Sequence, residues 1–191
     1  MRVPALAAAL IAAGALGGCQ GVRDTLGDPE PNPGPCPNAL ALYDAHRLVQ
    51  IVGEDVVYEN VGFTAEILDV ESRCRYTDRR ADPISMEIGV RMAFGRGPAA
   101  SGDTHTYDFF VAVTALDDIV VDREIFPVEV TFEPGEDRVE RIELFDPVRI
   151  PRANADTSGA NFEVLVGFEL TEEQIEFNRS GLRFRVTAGQ D

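Results

Sequence analysis

The clearest chemistry in this chain belongs to its three cysteines, Cys19, Cys36 and Cys74. Cys19 closes the tetrapeptide Leu16-Gly17-Gly18-Cys19 at the end of an apolar N-terminal run. That is the form of a lipobox, at which a signal peptidase cuts before a cysteine whose sulfur has been acylated. In an oxidising compartment an odd cysteine count leaves one free thiol. Lipidation of Cys19 removes it, and Cys36 and Cys74 are left to pair, as thiols in exported domains usually do. A bridge between them closes the loop from 36 to 74, worth roughly 4 kcal/mol in the chain-entropy model. Two unbridged, buried thiols are the alternative.

The remaining candidates are weaker. His46 and His105 stand in different segments, and neither has a second His, Cys or paired carboxylate at ligand spacing, so no metal site is read. No G-x-S-x-G occurs, and the serines have no neighbouring base along the chain. Asp and Glu are too numerous to single out an acid and base pair. There is no D-x-[DN]-x-[DN]-G calcium loop and no glycine-rich phosphate loop. These residues call for neither a catalytic site nor a cofactor. Arg73, Arg75, Arg79 and Arg80, around Cys74 and Tyr76, form the one basic cluster. It reads either as an anion-binding or partner-docking patch or as a solvated strand end. The choice of arginine says nothing, because the chain contains no lysine.

The elements that must place these residues begin with residues 1–18. Met1-Arg2 supplies a positive start, Val3 to Leu16 is an apolar run, and Gly17-Gly18 are the small residues a peptidase requires. A membrane span needs about 20 apolar residues. This run is shorter, and Gln20, Arg23 and Asp24 follow at once. A cleaved lipoprotein leader is the expectation, with an uncleaved span or an ordinary secretory leader as alternatives. From residue 19 to 37 the chain reads as a lipidated N-terminus and tether. Pro29, Pro31, Pro33, Pro35 and Pro37 alternate with other residues, each fixing φ and removing a backbone donor. Such a run favours extended polyproline II, so from Cys19 to Cys36 it reaches on the order of 50 Å. A bridge from Cys36 to Cys74 would pin the tether to the domain.

Residues 38–187 are enough for one domain, with 188–191 as a tail. Apolar and polar residues alternate in segment after segment, the strand signature. Met86, Ile88, Val90, Met92 and Phe94 share one face; Phe109, Val111 and Val113 repeat the pattern, as do Phe126, Val128, Val130 and Phe132. So do Phe162 to Leu170 at every second position, and Leu182, Phe184 and Val186. Phe63–Cys74 and Arg138–Leu144 are strand-like, with Ala39–Tyr43 and Leu48–Ile51 as lesser candidates. Breaks at 95–102, 134–135 and 151–159 are rich in Gly and Pro. About seven to nine such strands predict an all-β antiparallel sandwich, immunoglobulin-like or similar, with a small closed barrel as the alternative. Thr171-Glu172-Glu173-Gln174 predicts a capping box, Leu170 and Ile175 a hydrophobic staple, and Gly181 the end of a two-turn helix.

The net charge is −16, and losing Arg2 with the leader makes it one unit more negative. A surface this acidic is repelled by nucleic acid. The layout resembles a family of small uncharacterised lipoproteins from alphaproteobacteria. The resembling features are the lipobox at Cys19, Cys36-Pro37, Cys74-Arg75-Tyr76, Arg96-Gly97-Pro98-Ala99, Tyr107 to Val113, and Val166 to Gln174 with Asn178-Arg179. The resemblance covers most of residues 36–187 and implies location and single-domain architecture, without an activity. Resemblance to Gram-negative lipoproteins also implies sorting to the outer membrane, because Gln20 rather than Asp follows Cys19.

The functional expectation is a non-enzymatic, lipid-anchored outer-membrane protein facing the periplasm, an accessory or structural subunit with an envelope protein as partner. A carrier of lipid or another apolar ligand is the alternative, prompted by the eleven phenylalanines. An envelope hydrolase is the third class. Asn178-Arg179 reads as a cap on the helix and last turn, or as a docking point.

Overall fold

A computed structural model describes residues 34–76, 82–116 and 119–184. The expected leader, Cys19, the expected tether up to residue 33, Arg79, Arg80 and residues 185–191 lie outside them. The elements are β1 (Asn38–Ala41), β2 (Arg47–Ile51), β3 (Val61–Tyr76), β4 (Ile84–Arg96), β5 (Thr104–Ala115), β6 (Val120–Thr131), β7 (Arg138–Ile150) and β8 (Phe162–Phe168). Helix α1 (Glu172–Arg179) follows. Among the described residues the strands form two four-stranded sheets, ordered β1-β8-β5-β6 and β2-β3-β4-β7. This is the expected sandwich, not a closed barrel. One pairing departs from the antiparallel expectation: β1 runs parallel to β8, with Asn38 opposite Glu163 and Ala41 opposite Val166. The short 3-10 turn Tyr43–Ala45 then takes the chain from β1 to β2, so Tyr43 lies beyond the strand predicted to include it.

The alternation in β4 buries its whole apolar row: Met86, Ile88, Val90, Met92 and Phe94 are each no more than 1% exposed. Tyr107, Phe109, Val111 and Val113 of β5 and Val164, Val166 and Phe168 of β8 meet that row from the other sheet. Each such side chain contributes roughly 1.5–3 kcal/mol through burial. The phenylalanines stack on one another: Phe109 lies 4.9 Å from Phe145 and 5.8 Å from Phe168, centroid to centroid.

Two strands run further than their sequence patterns suggest. β7 continues past Leu144 to Ile150 through a register shift, with Ile88 opposite Phe145 and Met86 opposite Val148. The extra residue of that bulge, around Pro147, brings Val148 onto the inward face that Phe145 already shares. Before the bulge the β7 pattern is inverted: Ile142 and Leu144 are exposed, while Arg141 and Glu143 are paired with inward-facing Met92 and Val90. Inward charges on an outer strand are a common guard against unwanted pairing. β6 begins at Val120, well before Phe126, and its first half is exposed at every position.

The capping box forms as expected: Gln174 N–H donates to Thr171 Oγ1 (3.3 Å) and Thr171 N–H to Gln174 Oε1 (2.9 Å). Gly181, at φ 77°, reverses the chain after the helix. Of the predicted strand Leu182–Thr187, residues 182–184 are irregular because the chain turns to stack Phe184 on Phe177 at 6.0 Å. Residues 185–187 lie outside the described residues.

Candidate functional site

The segment Pro35-Cys36-Pro37 offers carbonyls but, with two prolines, little to donate. The end of β3 supplies what it lacks. Cys74, opposite inward-facing Met86, is bonded to Cys36 with a Cα–Cα distance of 5.7 Å. Two residues on, Tyr76 lies on the same face, by the period of two along a strand. Its hydroxyl donates to the Pro35 carbonyl (2.9 Å) and accepts from the Gly159 N–H (2.8 Å). Gly159 must be glycine: a Cβ there would stand 2.6 Å from the Pro35 carbonyl oxygen and 2.6 Å from Pro37 Cδ. Behind Tyr76 lies Arg152, only 8% exposed, with its guanidinium carbon 5.3 Å from the ring centroid. Arg152 donates to the carbonyls of Asp82 (2.7 Å) and Ala155 (3.0 Å). A buried guanidinium over a tyrosine face gains both cation–π attraction and hydrogen bonding. The arrangement is a junction, where the segment 35–37 is held to the domain by a disulfide and by a hydrogen bond from Tyr76, whose hydroxyl is in turn held by the Gly159 N–H.

The predicted basic cluster is only partly described. Arg73 lies on the outer face of the second sheet and pairs with Glu87 at 3.2 Å, with side chains 85% and 57% exposed. A pair so open to water is worth about 0–1 kcal/mol. Arg75 is exposed and stands opposite Ser85. Arg79 and Arg80 lie outside the described residues. Arg73 borders a groove of about 640 Å³ above Gly89, but Glu71, Glu87 and Leu144 line it too. The groove is of mixed charge, and Arg73 is partnered within it.

The histidines fall into structural roles. His46 Nδ1 is 2.5 Å from the Tyr43 carbonyl oxygen, across the 3-10 turn. His105 stacks on Phe63 at 4.4 Å and meets Tyr107 edge-on at 4.6 Å, and burial holds its pKa below the ordinary imidazole value. Tyr107 is 1% exposed, its hydroxyl has no hydrogen-bond partner among the described residues, and burial pushes its pKa up. No group of three or more His, Cys, Asp or Glu that could hold a metal ion exists among the described residues.

Asn178-Arg179 pins the helix to the sandwich rather than capping it. Asn178 Nδ2 donates to the carbonyls of Asp44 (2.8 Å) and Arg47 (2.9 Å), and Arg179 Nε donates to Asp44 Oδ2 (2.8 Å).

Cys36, Cys74 and Tyr76 were all legible as neighbours of one another in sequence or by elimination. Arg152 and Gly159 were not, since they come from the loop between β7 and β8 and reach the tether only in three dimensions. The one available signal was composition: the loop 151–159 holds an Arg and a Gly among small residues. No family model, curated protein or solved structure matches this chain.

Proposed function

We propose that the chain is an outer-membrane lipoprotein, carried on an acylated Cys19 after loss of residues 1–18, with its β-sandwich facing the periplasm. In this reading it is a non-enzymatic accessory subunit that holds or positions another envelope protein. The observation that carries it is the junction at Cys36, Cys74, Tyr76, Arg152 and Gly159. A segment held by a disulfide, a hydrogen bond and a glycine-tight contact is firm enough to transmit position between a bilayer and the domain. A diacylated or triacylated cysteine anchors stably, where one chain gives marginal binding.

The carrier alternative has less support, because the phenylalanines that prompted it pack against each other. Phe63, Phe94, Phe109, Phe132 and Phe168 are each no more than 2% exposed.

Metabolic labelling with an alkynyl palmitate analogue tests the address. The label is expected on the wild type and absent from Cys19→Ser, with a mature N-terminus at residue 19. An unlabelled protein, or a mature N-terminus elsewhere, would overturn it.

A further inference from the structure

The two sheets treat their outer strands differently. On the second sheet, carbonyls of β2 are taken by the helix: Gln174 Nε2 donates to Val49 O (3.2 Å) and Asn178 Nδ2 to Arg47 O (2.9 Å). On the first sheet, β6 pairs with β5 alone among the described residues. Pro127 lies within that ladder opposite Asp108 without breaking it, so its nitrogen faces away from β5. Residues two and four positions earlier share that direction, which turns the N–H groups of Arg123 and Ile125 to the open side. The Arg123 N–H is indeed satisfied outside the ladder, by Asp122 Oδ1 at 2.9 Å. Beyond Pro127 the edge is closed, because Arg141 Nη1 donates to the Glu129 carbonyl (2.8 Å). Among the described residues the open stretch is therefore Val120–Phe126.

That stretch is also apolar and acidic. Val120 (58%), Val121 (38%) and Ile125 (47%) are exposed, as is Ile119 just before the strand. Asp122 and Glu124 stand opposite Val113 and Val111, on the row that faces the sandwich interior. There, between β6 and β7, lies a crevice of about 220 Å³ with Val111, Val113 and Phe126 among its lining. Its charged groups are Asp122, Glu124 and Arg149, two carboxylates against one guanidinium.

We infer that Val120–Phe126 is a docking edge that takes an extended segment of another protein as an added strand, one alternating apolar and basic side chains. Main-chain bonds to Ile125, and to Arg123 once its N–H is released from Asp122 Oδ1, would supply pairing, and Asp122 and Glu124 would select the basic residues. A second copy fits poorly: antiparallel self-pairing about Arg123 would set Asp122 of one chain against Glu124 of the other, and like charges directly opposite repel. The inference deepens the proposed function by naming the surface and the partner's chemistry.

The test uses the full mature chain in detergent and a capped peptide of alternating valine and arginine, read by fluorescence anisotropy. Binding is expected, with valine–glutamate peptide ignored. Ile125→Pro removes an N–H that β5 does not use, so the fold should persist while affinity falls at least tenfold. Should that variant not fold, the pair Asp122→Arg and Glu124→Arg carries the test, and preference should pass to the valine–glutamate peptide. Unchanged affinity in a folded Ile125→Pro chain, or no switch in the charge-reversed one, would overturn the proposal as mere attraction to an acidic surface. In cells, a photo-crosslinker at Ile125 should capture an apolar–basic stretch of another protein, mapped by mass spectrometry, where one at Ile142 does not. Adducts to the chain's own tail or to a second copy would overturn it. Peptide binding without palmitate labelling would sink the membrane address and spare the edge, and labelling without binding would do the reverse.

Discussion

Two neighbouring regions of this sandwich are built on opposite terms. At the junction of Cys36 with the domain, Tyr76 and Arg152 are hydrogen-bonded to loop carbonyls, and Gly159 leaves no space for a methyl group. The β5–β6 hairpin is tied to the same end of the molecule, since the Leu116 N–H donates to the Asn161 carbonyl (3.1 Å), two residues from Gly159. Yet Leu116, Ile119 and Val120 of that hairpin are 63%, 58% and 58% exposed. One region is closed by the chain's own groups, and the other is exposed among the described residues. Substitutions in the two should therefore differ in what they cost the fold.

The disulfide should show the largest effect. Cys36→Ser or Cys74→Ser is expected to lower stability by about 2–5 kcal/mol, read by urea unfolding of the mature chain. A loss below about 1 kcal/mol would mean that the junction is not a constraint, and the contrast with the hairpin would collapse.

Gly159→Ala is expected next. The methyl would meet the Pro35 carbonyl and the Pro37 ring, neither of which is the flexible end of a side chain. Overpacking of that kind costs about 1–3 kcal/mol. The same unfolding curves read it, and the tether segment should become accessible to protease. A neutral outcome would show that the loop from β7 to β8 can move off the tether.

Tyr76→Phe keeps the ring under Arg152 and removes the hydroxyl. That leaves the Gly159 N–H and the Pro35 carbonyl without the partner that bridged them. Unpaired groups at this depth cost about 1–3 kcal/mol, less where water reaches them. The midpoint should fall while the denaturant slope stays constant.

What could be read from the chain beforehand divides along the same line. Met86 to Phe94 and Phe162 to Phe168 were legible as strands because the apolar side chain at every second position of each packs into the core. β7 was cut short at Leu144 because the bulge at Pro147 and the inward Arg141 and Glu143 spoil the period. The first half of β6 was missed for a different reason: exposed on both faces, it has no burial pattern to print on its sequence. The cysteine pair followed from counting thiols. Tyr76 could not be matched to Pro35 or Gly159, which lie 41 and 83 positions away, because no local pattern encodes such partners. Asn178 was conspicuous, but its role stayed open between a cap and a docking point because its acceptors Asp44 and Arg47 lie more than a hundred positions earlier.

The smallest effect is the one that most sharpens the contrast. Val120 and Val130 belong to the same strand, one 58% exposed and the other fully buried. Threonine keeps the branched Cβ and the strand preference of valine, so Val→Thr changes a methyl to a hydroxyl and little else. At Val130 the hydroxyl would be taken from water into the core, with a cost of about 1–3 kcal/mol. At Val120 it stays in water, and the change is expected to fall within about 0.5 kcal/mol. The double variant Tyr76→Phe with Val120→Thr should be additive, because the two sites share no partner. A loss at Val120 as large as that at Val130 would mean that the free chain already covers its own hairpin. The open half of β6 would then be part of the core, and the distinction between a sealed attachment and an unfilled contact would have no physical basis.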